Sequence, residues 1–213
     1  MRKYDLGEID VRKRGRLPHW HAEHAIYFVT WRLFDSLPLH VLSRLRAERD
    51  MEHDRISKMR GVVTIPEQRM LDAALTEACE RFLDQHAGEC LLRDRRAAKV
   101  VADSLMHFDG LRYHLYAWCV MPNHVHVIFS CLAEFDLSSI LHSLKGFTSK
   151  EINKVLGRSG TLWQAESFDR CLRDSDELGR KIDYVIGNAV AAGIENWPFV
   201  GTYPYPERIE NLT

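Results

Sequence analysis

Glycine and proline are sparse in this sequence, 12 and 7 of 213 residues, and neither is concentrated in one stretch. That excludes a collagen-like or low-complexity chain, and a hydrophobic fraction of 46% excludes a disordered one. Long apolar runs are missing too. The longest, such as Tyr116 to Met121, falls far short of the roughly 20 residues that cross a bilayer, so no membrane partner is expected. The five cysteines (Cys79, Cys90, Cys119, Cys131, Cys171) are widely spaced and form no C-x-x-C pair. They read as reduced thiols of a cytoplasmic protein. Met1-Arg2-Lys3 is followed by Asp5, Glu8 and Asp10, where a signal peptide would need apolar residues. Net charge is also lacking: a formal value of -1 argues against a broad basic field.

What is present is unevenly distributed. Residues 1–21 carry six Lys/Arg against three acids, with Arg12, Lys13, Arg14 and Arg16 as the dense part. Residues 101–141 and 195–213 are acidic and offset them. Local positive surface is thus compatible with the near-neutral total, and the basic arm reads either as a solvated terminus or as a phosphate-contacting segment. The length suits one domain over 1–213, with a basic arm at 1–21 and a tail at 195–213.

Residues 25–33 are aromatic and β-branched and read as a strand. Apolar positions at helical spacing predict helices over 39–56 and 67–86, the second presenting Met70, Leu71, Ala74, Leu75, Ala78 and Phe82. A third is predicted over 94–108, so that 39–108 reads as a helical insertion after the first strand. Strands are predicted at 111–120 and 124–130 around Met121-Pro122-Asn123. Asp136 then caps a helix that Gly146 is expected to bend, and Asp174 with Glu177 opens a last helix reaching about Ala192. The sum is an α+β fold with a small antiparallel sheet covered by helices.

The densest chemical signal is His124-Val125-His126-Val127. Alternation on a strand sends both imidazoles to one side, where two nitrogens can meet one metal ion. The other reading is a half-exposed histidine pair, since one of 11 histidines falls two residues from another by chance. On the last helix, a wheel centred on Leu178 puts Ile182, Val185, Ile186 and Ala189 on the core face, with Tyr184 at about 240° and Asn188 at about 280°. Tyr184 is either an ordinary exposed tyrosine or a group aimed at a ligand. Taken with the histidines, it suggests a nucleophile beside a metal held by His124, His126 and the Asn188 carbonyl, suited to phosphoryl transfer.

These residues, with Arg16-Leu17-Pro18-His19-Trp20, Tyr27-Phe28-Val29-Thr30, Tyr113 through Val127, Leu144-Lys145-Gly146-Phe147-Thr148-Ser149, Trp163-Gln164, Phe168-Asp169-Arg170 and Tyr184-Val185-Ile186-Gly187-Asn188, resemble the single-tyrosine HUH transposases (IS200-like), in the REP-associated tyrosine transposase branch. The resemblance implies a ferredoxin-like fold and a metal-dependent transposase that cleaves and rejoins single-stranded hairpin DNA through a phosphotyrosine. It implies Tyr184 as nucleophile and His124, His126 and Asn188 as ligands of Mg²⁺ or Mn²⁺, where ligand chemistry alone leans toward Zn²⁺. It also implies DNA contacts from Lys145, Lys150 and Arg170 and a base stacked on Trp163; solvated lysines and a core tryptophan are the alternatives. Many relatives have Asn-Pro after the tyrosine where this chain has Asn188-Ala189, a change that spares every proposed ligand. Three functions are compatible with these residues: a strand transferase, a hairpin-binding regulator with vestigial chemistry, and a histidine-metal hydrolase without a covalent step. Both a monomer and a homodimer are compatible with them.

Overall fold

The computed structural model describes residues 10–14, 17–21, 25–132 and 134–204. Its centre is a five-stranded antiparallel sheet built from β3 (Ile26–Arg32), β4 (Tyr113–Val120), β5 (His124–Cys131), β6 (Phe168–Leu172) and β7 (Val200–Thr202), in the order β6-β3-β5-β4-β7. Four of these strands, joined by α3 (Arg95–His107) between β3 and β4 and by α4 (Leu137–Val155) between β5 and β6, make the ferredoxin-like order. Two helices, α1 (Leu39–Arg60) and α2 (Ile65–Leu83), are inserted after β3, and α5 (Ser175–Ala191) follows β6.

Caps explain where these helices begin. Asp94, Asp136 and Asp174 each accept a hydrogen bond from a first-turn N–H, and Thr64 with Glu67 forms a capping box. Strand alternation then splits the core. Tyr27, Val29 and Trp31 of β3 and Val125, Val127 and Phe129 of β5 pack under α3 and α4. Ile26, Phe28 and Ile128 face the other way, against Leu178, Ile182, Val185 and Ala189 of α5. A third cluster seats Val41, Leu42 and Leu45 of α1 and Leu75, Cys79 and Leu83 of α2 over Phe168 of β6. The second face of the sheet is therefore roofed by α5 and by the α1–α2 pair.

Several expectations are corrected. The basic arm contains two paired strands, β1 (Asp10–Arg14) and β2 (Leu17–His21), so the predicted first strand is the third. Only 39–83 of the expected 39–108 insertion is extra, because α3 is a crossover of the fold itself. Helix α4 runs unbroken through Gly146. Residues 168–172 and 200–202 are edge strands too short and polar to announce themselves.

Candidate active site

His124 and His126 lie on the α5-facing side of β5, beside Arg32 and Thr30 of β3, their cross-strand partners. Both are 0% exposed, against the half-exposed alternative. Their outer contacts fix their tautomers. Asn123 donates its amide N–H to the carbonyls of Leu83 and Ala87, which leaves its Oδ1, 2.7 Å from His124 Nδ1, as an acceptor. Thr30 donates toward Glu80 Oε1 at 3.4 Å and so accepts from His126 Nδ1 at 2.8 Å. With both Nδ1 atoms protonated, the two Nε2 lone pairs face each other 2.9 Å apart. Burial, and then the neighbouring His86, pushes His124 down to about 3. Burial, then His124 and Lys181, holds His126 well below its usual value. Two facing lone pairs that resist protonation call for a cation.

Further donors converge on that point. Asp84, the C-cap of α2, places a carboxylate oxygen 4.0 Å from His124 Nε2, and Asp84, His124 and His126 offer ligand atoms all within 4.8 Å of one another. A carboxylate at the negative end of a helix dipole is itself unfavourable without a cation. Asn188 of α5 is buried against Asp84, and Asn188 Oδ1 and Asp84 Oδ1 are both buried without a hydrogen-bond partner. Nitrogens bound at right angles to one ion at about 2.1 Å stand about 3 Å apart, which the histidine spacing matches. The residues thus fit a divalent cation, with a mixed nitrogen and oxygen donor set.

Tyr184 completes the cluster. Its ring lies 5.3 Å from that of His126 and 6.1 Å from Phe28, and its buried hydroxyl has no well-formed hydrogen bond, with Asn188 and Glu80 as the adjacent polar groups. The helical wheel pointed it away from the core; instead it flanks the core face and turns toward β5 of its own chain. Lys181, one turn earlier, sits over the Phe28 and Tyr184 rings at 4.4 and 4.7 Å and 4.0 Å from Glu80 Oε2. Burial, then the Glu80 and Asp84 charges, raises the Tyr184 phenol well above its usual range. Burial likewise pushes Glu80 up to about 7.

Residues 98–172 match the sequence model of the family described as transposase, IS200 like. The REP-associated tyrosine transposase of Escherichia coli (strain K12) is 26% identical over 92 residues, 41% of this chain and 53% of that protein. The similarity to IS200-like transposases lies in the stretch that carries β4, β5 and α4.

A putative REP-associated tyrosine transposase of Haemophilus influenzae is 23% identical over 101 residues, 41% of this chain and 57% of that protein. The chain spans about half the length of these curated relatives. Among solved structures, a REP-associated tyrosine transposase bound to a REP hairpin matches with a TM-score of 0.47 at 17% identity, covering 90% of this chain and 89% of the other. A putative transposase from Deinococcus radiodurans matches with a TM-score of 0.30 at 15% identity, covering 83% and 97%. The family match holds the histidine pair and ends before α5, so Tyr184 and Asn188 stand on geometry.

The expected DNA contacts are scattered. Trp163 is a core residue, 6% exposed, edge-on to Trp31 and donating its indole N–H to Thr148 Oγ1, so it offers no free face to a base. Arg170 is ion-paired with Glu177 of α5 and braces that helix rather than standing free. Lys150 is exposed on α4, and Lys145 is half-buried with its ammonium 2.8 Å from the Ala165 carbonyl. Arg12, Lys13 and Arg14 fall on β1 with their side chains outside the described set, and Arg16 lies outside the described residues. Sequence reasoning missed Asp84, Glu80 and His86, whose two ring nitrogens are buried without partners near Asp84 and His124. Only Asn123, inside the Met-Pro-Asn-His-Val-His run, carried a local signal.

Proposed function

We propose that the chain is a cytoplasmic, single-domain DNA transposase that cleaves and rejoins single-stranded hairpin DNA of the REP type. The observation that carries this reading is the placement of Tyr184 against the buried His124–His126 pair of the same chain. The Tyr184 oxygen attacks a phosphodiester phosphorus, the new oxygen–phosphorus bond replaces the bond to the 3′ oxygen, and a 3′-hydroxyl leaves after regaining a proton. Glu80, beside the phenol, is placed to take the phenolic proton. The DNA is left joined to the protein by its 5′ phosphate, and attack by another 3′-hydroxyl reverses the exchange. His124, His126, Asp84 and Asn188 would hold Mg²⁺ or Mn²⁺, which would polarise the phosphodiester and offset the local carboxylate charge. The Lys181 ammonium lies 4.7 Å from the centre of the tyrosine ring.

Incubation with a single-stranded hairpin substrate and Mn²⁺ should give a protein–DNA adduct that survives denaturation, and Tyr184→Phe should give none. An adduct from Tyr184→Phe would reassign the nucleophile. Wild-type protein that binds hairpins and never cleaves them would instead support a regulator, and cleavage without an adduct a hydrolase.

A further inference from the structure

Arg32 stands at the end of β3, beside His124 in the sheet register, with 3% of its surface exposed. Its Nη1 is buried and has no hydrogen-bond partner among the described residues. A guanidinium in that position is costly unless an anion compensates it. Its charged neighbours do not supply one. Arg46 of α1 lies within electrostatic reach, and so does Lys145 of α4, whose ammonium bonds the Ala165 carbonyl. Glu166, the carboxylate felt by both Arg32 and Lys145, is engaged by Arg46. Burial, then Arg32, pulls Lys145 down to about 8, against the opposing pull of Glu166.

The backbone holds this cluster in place. Gln164 N–H donates to the Arg32 carbonyl at 3.0 Å, Phe34 N–H donates to the Leu162 carbonyl at 2.8 Å, and the Gln164 side chain donates to the Phe34 carbonyl at 2.9 Å. Phe34, two residues beyond Arg32 in the chain, is left 57% exposed. A basic pocket with an exposed aromatic ring close by in the chain suits a nucleotide, whose phosphate takes the charge and whose base takes the ring.

We propose that Arg32, Arg46 and Lys145 form a phosphate subsite, next to the histidine pair, that holds one backbone phosphate of a single-stranded DNA with Phe34 against the adjoining base. The assignment to DNA rests on the transposase reading; the anion site itself does not. Arg32 is the inner ligand, fixed by burial, and Lys145 and Arg46 are the outer ones. Occupation by phosphate would give Arg46 an alternative partner to Glu166.

Two measurements on the full chain separate these levels. Inorganic phosphate should raise the melting temperature of the wild type and do so markedly less for Arg32→Gln. Binding of an unstructured single-stranded oligonucleotide, followed against salt without divalent cation, should weaken about tenfold in Arg32→Gln, with the salt slope shallower by roughly 0.7. Lys145→Gln should lower the slope in the same sense, which keeps the test open if Arg32→Gln folds poorly. Equal phosphate response and equal slopes in wild type and both variants would overturn the site. A phosphate response confined to the wild type, with DNA slopes unchanged, would overturn the phosphodiester and leave a free-anion site. Failure of the transposase reading shows elsewhere, as absence of a tyrosine adduct.

Discussion

The two faces of the central sheet are built from alternate residues of the same strands and do different work. One face, with Val125, Val127, Phe129 and Trp31 under α3 and α4, is predominantly apolar. The other carries His124, His126, Thr30 and Arg32 under α2 and α5, all buried, and its roof adds Glu80 and Asn188. The first face gains free energy from burial, whereas the second spends part of it on polar groups, of which Arg32 Nη1, Asp84 Oδ1, Asn188 Oδ1 and Tyr184 OH have no hydrogen-bond partner among the described residues. A small domain can hold an unsatisfied polar cluster because the opposite face of the same strands is so well packed.

The contrast can be broken from either side. Phe129→Ala, which opens a cavity beside Tyr113 on the apolar face, should cost about 3–5 kcal/mol in denaturant unfolding. It should leave Mn²⁺ binding intact wherever the variant is folded. On the polar face, Mn²⁺ at about 100 times its Kd should add about 2.7 kcal/mol to wild-type stability, and His126→Ala should lose that gain. An unchanged gain in His126→Ala would place the cation elsewhere.

Protonation sharpens the contrast further. Glu80 titrates at about 7 in the folded chain, above its ordinary 4.5, so the folded state holds more protons than the unfolded one between those values. Its contribution is therefore full below 4.5 and is lost as pH rises through 7. Glu80→Gln should gain on wild type over that window, by at most about 1.4 kcal/mol per pH unit, in paired denaturant titrations. The smallest effect is expected outside both faces. Asp136→Ala removes the cap on Ser139 N–H and should cost about 1 kcal/mol, with no change in metal response.

Local pattern foretold one face better than the other. The His-Val-His-Val alternation separated the imidazole face of β5 from its apolar face, and caps at Asp136 and Asp174 marked helix starts. The apolar stripe expected on α2 is only partly right. Met70 is 72% exposed while Glu80 is 4% exposed, because this helix packs over a polar cluster instead of a plain core. The partners that justify burying Glu80, Thr30 and Lys181, lie 50 and 101 positions away along the chain. No window of sequence contains that relation. Asp84 was invisible for the same reason, looking like an ordinary polar residue at a helix end until the fold brought it to His124. Trp163 failed in the opposite direction, its core role being set by Thr148 and Trp31.

The candidate site draws on α2, β5 and α5, three segments that are far apart in the chain and meet only in the folded molecule. During synthesis the histidines emerge well before Tyr184, so a nascent chain can fold β3 to β5 while still lacking the nucleophile proposed for it. Tyr184 joins the sheet only when α5 docks. On the proposed reading, a ribosome-bound or truncated product ending before residue 184 would be chemically disarmed toward DNA, by the order of its elements alone.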